Sequence, residues 1–245
     1  MRPARAPAAV VAVAAVVAAV AAGGCGASAP GRSPGPPTRD PAVVDVSVAR
    51  GTGPADGATG IGAGGGRVVT VAHVLDGGGR VTVRSGGGVT RAARVLAVDR
   101  RDDLAVLLVP GLRARAARFA GGSAVARLLV LRDGRGSLRP ASARRAIAAS
   151  VEGSGAPPGY RRPSLELAAD VAAGDSGAPV LARDGSVVGI VFATARDRDG
   201  VAYAVDGAMV GRLLRGLGYA LQRTPGSPKR TNTAQRPAGR PTGPM

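Results

Sequence analysis

A chain of 245 residues with a formal charge of +17 and a single cysteine has room for one sizeable domain or two small barrels, and holds no internal disulfide. Aromatic residues make up only 2% of it, so stacking platforms for single-stranded nucleic acid are nearly missing, and no zinc-ligand spacing, RNP-like motif or basic heptad helix is present. The positive charge is almost all arginine, with Lys229 the only lysine. Arginine, like the abundant Ala, Gly, Val and Pro, has GC-rich codons, so genome composition is expected to account for much of the basicity, and non-specific attraction to anionic envelope polymers and lipid headgroups is the expectation that remains.

Arg2 and Arg5 stand before an apolar run from Ala6 to Ala22. The run is short for a bilayer span, so residues 1–24 are expected to be an export signal, with an uncleaved anchor as the alternative. Cys25 follows Ala22-Gly23-Gly24, a placement that resembles the acceptor cysteine of bacterial lipoprotein signals, although Ala22 stands where that pattern usually has Leu. The resemblance implies a lipidated Cys25 and a membrane-tethered protein of the cell envelope. Ordinary cleavage nearby, releasing a secreted product, is the other outcome. Residues 25–40 are rich in Pro, Gly and Ser and read as a disordered tether.

From Pro41 the pattern changes to short Val-rich runs divided by glycine turns. The first strands are expected at Val43–Val48, Arg67–Val71, Arg80–Arg84, Ala92–Val98 and Leu104–Val109. His73, the only histidine, lies at the end of the second of these, in Val71-Ala72-His73-Val74. Taken alone it would pass for a structural histidine. Asp103 directly precedes the Leu104 strand, where a carboxylate can accept the imidazole Nδ1–H and fix its tautomer. Asp102 competes for that role, but its side chain should point the opposite way, and Asp103 adjoins the buried run.

A second series is expected at Ala124–Leu131, Ala141–Ser150, Ser164–Val171, Pro179–Ala182, Val187–Thr194 and Val201–Val205. Gly174-Asp175-Ser176-Gly177 falls between two of these strands. A nucleophilic serine needs a tight turn that lifts its hydroxyl toward solvent and turns backbone N–H groups toward a developing oxyanion; flanking glycines permit such a turn. A plain Gly-Asp-Ser-Gly hairpin is the structural alternative, but the lone imidazole supplies the base that such a serine lacks. Met209, Val210, Leu213, Leu214 and Leu217 then give a closing helix over about 206–217, expected to stop at Gly216 and Gly218. A basic, Pro-rich tail fills 221–245. Too little chain follows the core for a PDZ domain, and none is expected.

The chain order His73, Asp103, Ser176 is that of chymotrypsin and differs from that of subtilisins and α/β-hydrolases. With Thr70-Val71-Ala72-His73-Val74, Asp99, Asp103-Leu104-Ala105-Val106-Leu107, Gly174-Asp175-Ser176-Gly177 and Val188-Gly189-Ile190-Val191-Phe192-Ala193, the segment from about Pro41 to Gly218 resembles bacterial trypsin-like serine peptidases of the HtrA/DegP and actinobacterial MarP-like type. The resemblance implies an all-β protein of two six-stranded antiparallel β-barrels, at about 41–118 and 121–205, with a short C-terminal helix. It implies endopeptidase activity on protein or peptide substrates with no cofactor or metal. His73 would be the base, Asp103 its orienter and Ser176 the nucleophile; the N–H groups of Gly174 and Ser176 would form the oxyanion hole. Phe192, Ala193 and Thr194 would offer the edge along which an extended substrate lies.

Asp170 stands where trypsin-like enzymes place the base of the primary specificity pocket, which would select Arg or Lys; otherwise it is an exposed residue or pairs with Arg161 or Arg162. Relatives usually have Asn at the position of Asp175 and Gly or Ser at that of Ala178. A catalytically silent module of the same fold, binding envelope proteins or polymers, is the competing expectation, and a nucleic-acid binder the third.

Overall fold

The computed structural model describes residues 10–12, 43–132, 135–152 and 156–223. Cys25, the tether over 25–40, the tail from 224 and the leader apart from 10–12 lie outside the described residues.

The first antiparallel sheet has seven strands: β2 (Val43–Ala49), β3 (Asp56–Gly64), β4 (Arg67–Val71), β5 (Arg80–Ser85), β6 (Thr90–Ala92), β7 (Arg94–Asp99) and β8 (Leu104–Leu108). They run in the order β6-β5-β2-β3-β4-β8-β7. Strand β2 shows how the sequence builds this layer: its residues alternate between buried and half-buried, and Val44, Val46 and Val48 fill the interior. Strand β8 is buried over Leu104–Leu107 and carries a nearly continuous apolar run.

The second sheet holds β9 (Val125–Arg132), β10 (Arg135–Pro140), β11 (Ser142–Glu152), β12 (Arg162–Ala168), β13 (Pro179–Ala182), β14 (Val187–Thr194) and β15 (Val201–Asp206). Along its edge Val10–Ala12, here β1, pairs in parallel with Ser150–Glu152. The order is β1-β11-β12-β15-β14-β13-β9-β10. Each sheet curls into a half-barrel, giving the chymotrypsin-like fold that the resemblance implies.

Four strands depart from the sequence expectation: β1 falls in the stretch expected to be an export signal, and β3, β6 and β10 lack the β-branched runs on which strand reading depends. The Gly-rich β3 sits in mid-sheet between β2 and β4. A Cβ at Gly60 would come within 2.5 Å of Val68 Cγ1 and 2.8 Å of Val46 Cγ2, so packing between the walls selects glycine there in place of a strand former.

Helix α1 spans Gly207–Arg223, further than the expected stop. Gly216 and Gly218 lie inside it. A glycine costs a helix about 1 kcal/mol without ending it, and the apolar face anchors the helix: Met209 and Val210 are buried, and Leu213, Leu214 and Leu217 pack against the core.

Candidate active site

Register brings the first pair together. Strands β4 and β8 align with Val71 opposite Leu104, so the next residues outward, Ala72 and Asp103, also face each other. The Ala72 amide donates to the Asp103 carbonyl at 3.0 Å. Beyond it, the His73 amide donates to Asp103 Oδ1 at 2.8 Å, and His73 Nδ1 lies 2.8 Å from Asp103 Oδ2. Both carboxylate oxygens therefore hold one residue, by its backbone and by its ring. This fixes the imidazole with Nδ1 as donor and leaves Nε2 as the basic nitrogen. His73 opens a short 3-10 turn, His73–Leu75, that anchors itself with buried Val74 and Leu75.

Asp103 has φ 55°, the only positive value at a non-glycine among the described residues. Aspartate tolerates this left-handed conformation better than most residues, and such strain clusters at functional sites. Asp102 turns elsewhere: its Oδ1 accepts from the Tyr160 hydroxyl at 2.6 Å. Burial, with the hydrogen bond to Asp102 behind it, pushes the Tyr160 phenol up to about 12.

Ser176 belongs to the turn before β13 and is half-buried. The turn closes on itself through Asp175 N to Ala172 O at 3.0 Å and Ala178 N to Asp175 O at 2.8 Å. Asp175 is fully buried, and its Oδ2 accepts from the Ala172 amide at 2.9 Å. The carboxylate that stands where relatives usually have Asn thus braces the loop that carries the serine.

Backbone contacts fasten this turn to the first half-barrel. The Thr59 amide donates to Ser176 O at 2.7 Å, and Thr70 Oγ1 donates to Thr59 O at 2.8 Å. Thr59 belongs to β3, and Thr70 lies three residues before His73, so the serine turn docks where β4 delivers the imidazole. No hydrogen bond joins the Ser176 hydroxyl to His73; the tie runs through the backbone. Gly177 makes the close approach possible: it has φ 89°, and a Cβ there would lie 1.9 Å from Thr59 O. Gly174 also has positive φ, 90°, but is exposed with open space around it.

On β14, the side facing β13 is occupied up to Val191, whose carbonyl accepts from Gly177 N at 2.7 Å and whose amide donates to Ala178 O at 3.0 Å. From Phe192 to Thr194 the described residues add no strand on that side, while β15 covers the other. The Phe192 side chain is buried against Tyr203, with ring centroids 6.4 Å apart, so this residue offers only its backbone to that edge. Ala193 is half-buried and Thr194 exposed.

Beside this edge opens a cleft of about 340 Å³ lined by residues that include Asp170, Thr194, Arg198 and Asp199. The Asp170 side chain is 88% exposed and pairs with Arg139 Nη1 at 2.9 Å. Neither arginine weighed from sequence takes that place: Arg161 donates to Ala148 O at 3.3 Å, and Arg162 lies against Asp103. Arg198 is held from behind by the buried carboxylate of Glu166, at 3.4 Å, and by the Tyr203 hydroxyl, at 2.5 Å. Burial of Glu166 opposes its ionisation, but hydrogen bonds from Arg145 and Arg198 prevail and hold its carboxyl below the ordinary value.

Sequence reasoning missed Arg162 as part of this site. Its guanidinium is 1% exposed, 3.9 Å from Asp103 Oδ2, and 4.8 Å above the centre of the Phe192 ring. An arginine flanking a predicted strand carries no mark of burial in the sequence; Asp103 and the Arg101 carbonyl of the first half-barrel and Phe192 of its own supply its surroundings only in the fold.

Comparisons with known proteins agree with this fold. A family model described as a trypsin-like peptidase domain matches residues 58–190, more than half of the chain. The serine protease Rv3671c of Mycobacterium tuberculosis is 36% identical over 137 residues, which cover 54% of this chain and 34% of that protein. The chain thus spans about a third of the length of the curated relatives it matches. The crystal structure of the active form of that M. tuberculosis protease superposes with a TM-score of 0.65 at 30% identity, covering 73% of this chain and 82% of the other. An HtrA-type protease, AlgW, with a bound tripeptide aligns at TM-score 0.61 and 16% identity, covering 72% and 60% of the two chains, a likeness of fold alone.

Proposed function

The chain belongs to the trypsin-like peptidase family, and from that premise we propose that it is an exported serine endopeptidase acting through an acyl-enzyme on Ser176. The observation that carries this reading is the His73–Asp103 pair, bonded at 2.8 Å, beside a serine turn fastened to the same half-barrel.

In the proposed reaction the Ser176 hydroxyl attacks a peptide carbonyl while His73 Nε2 takes its proton. The imidazolium is stabilised by Asp103, already bound at Nδ1. The Gly174 and Ser176 amides receive the tetrahedral oxyanion. Collapse of that intermediate expels the amine, which leaves with the proton from His73, and water then releases the acyl group by the same steps in reverse. The serine–imidazole hydrogen bond, which the resting site lacks, would form when substrate closes the site.

An extended peptide would add itself to the open edge of β14 at Phe192–Thr194, with its primary side chain in the cleft beside Asp170. Two acidic residues, Asp170 and Asp199, border this cleft, and Arg198 is already engaged by Glu166. The cleft therefore favours a basic side chain, which would compete with Arg139 for Asp170. The apolar leader and Cys25 support export and attachment to a membrane surface by a lipid chain.

Fluorophosphonate labelling tests the reading. The native chain should be labelled at Ser176, and Ser176→Ala should lose all labelling while keeping its melting temperature. Equal labelling of both would refute the assignment. A folded native chain that neither labels nor cleaves any denatured protein would favour a catalytically silent binding module instead.

A further inference from the structure

We infer that Arg162, supplied by the second half-barrel, is a positioning residue that acts through Asp103: its buried positive charge stands behind the carboxylate and sets how strongly His73 holds a proton. The inference rests on the peptidase reading for its consequence in catalysis, but its electrostatic content is measurable without turnover.

Three observations carry it. Arg162 and Asp103 are 1% and 5% exposed, with Arg162 Nη1 3.9 Å from Asp103 Oδ2. At that separation, and in so dry a setting, the attraction is only weakly screened. Arg162 Nε donates to Arg101 O at 3.0 Å, gripping the backbone two residues before Asp103. Neither Nη1 nor Nη2 has a hydrogen-bond partner. Leaving two buried guanidinium nitrogens unpaired is costly, and a stabilising charge placed behind Asp103 gives a reason to keep them there.

The surroundings match a cation held for its field. The guanidinium rests on the face of Phe192, 4.8 Å from its centre, a favourable stacking position. Burial lowers the affinity of Arg162 for its proton, while Asp103, Asp102, Tyr160 and Asp99 oppose that effect. The nearby charged groups are otherwise engaged. Asp102 accepts from Tyr160, Asp99 accepts from the Arg101 and Asp102 amides, and the Arg101 guanidinium lies over the Tyr160 ring. This leaves Asp103 as the carboxylate that directly faces Arg162.

Because a cation near the imidazole disfavours its protonation, a neutral residue at 162 lets Asp103 hold the imidazolium more tightly. His73 is the only histidine, so its ring signals are assignable by NMR without ambiguity. In Arg162→Met and Arg162→Gln, the crossover of those signals should move to higher pH by about one unit. Arg162→Lys, which keeps the charge, should stay close to the native chain. The acid limb of fluorophosphonate labelling should follow the crossover, with about tenfold slower labelling on that limb in the neutral variants.

Folded neutral variants whose crossover coincides with that of the native chain would overturn the inference. So would a folded Arg162→Lys whose crossover moves up by about one unit from that of the native chain, because the charge is kept and distortion would then be the cause; this arm needs only the native chain and the lysine variant, and reads even if the neutral variants fail to fold. A crossover that moves as expected in a protein whose Ser176 never labels would leave the role of Arg162 standing and remove the peptidase reading.

Discussion

Replacing Gly177 by alanine should loosen the serine turn from the first half-barrel. The new methyl carbon would stand 1.9 Å from Thr59 O and 2.9 Å from Thr59 C, both backbone atoms of a strand paired on two sides, so the strand cannot yield cheaply. The turn must move instead. Two costs add: holding an alanine near φ 89°, about 1–2 kcal/mol, and breaking the Thr59 N–H to Ser176 O bond, about 1–3 kcal/mol when a buried group loses its partner. The total, about 4 kcal/mol, is a large share of the 5–15 kcal/mol typical of a folded domain. At about 2–4 °C per kcal/mol for a domain of this size, the melting temperature should fall by roughly 10 °C. Gly174→Ala is the control, with similar φ but open space around it; it should cost only the backbone strain, about 1–2 kcal/mol. Thermal melts and fluorophosphonate labelling of both variants provide the comparison. A Gly177→Ala protein that melts within 2 °C or so of the native chain and labels at its rate would refute the docking argument.

Other perturbations test separate parts of the site. Asp103→Asn offers an amide N–H2 to His73 Nδ1 if its oxygen keeps the His73 amide, which forces the wrong tautomer; labelling near neutral pH should slow by about 10⁴ without loss of the fold, and a loss under tenfold would contradict the proposed role. Tyr160 has a folded-state affinity for its proton above the unfolded value, so its contribution is complete below about pH 10 and is lost as pH rises toward about 12. Denaturant melts of the native chain should therefore weaken over that window more steeply than those of Tyr160→Phe; parallel curves would show that the Asp102 bond carries no such linkage. Peptide-library cleavage should reveal a preference for Arg or Lys at the bond cut that Asp170→Ala loses, and an unchanged profile would remove Asp170 from specificity.

Local chemistry was legible in the unfolded string. Val-rich runs with glycine punctuation are a property of neighbouring residues, and they pointed to β-strands and to a layered β fold. One imidazole, one aspartate at a strand mouth and one serine between glycines are also local facts, and their order along the chain pointed to one arrangement among several. The strands that escaped sequence reading are those whose composition answers to distant atoms. In β3, Gly60 is there because Val46 and Val68 leave no room for a Cβ.

What only the folded molecule decided depends on partners far along the chain. The register of β4 against β8 assigns Asp103 to His73, while Asp102 goes to a tyrosine 58 positions away. Thr59 reaches Gly174 across 115 positions, and Arg162 meets Arg101 across 61. Asp170 finds Arg139 in place of either arginine nearer to it in sequence. Composition cannot encode these meetings, because burial and electrostatic neighbourhood arise only when the two curled sheets close on each other and exclude water from the seam between them.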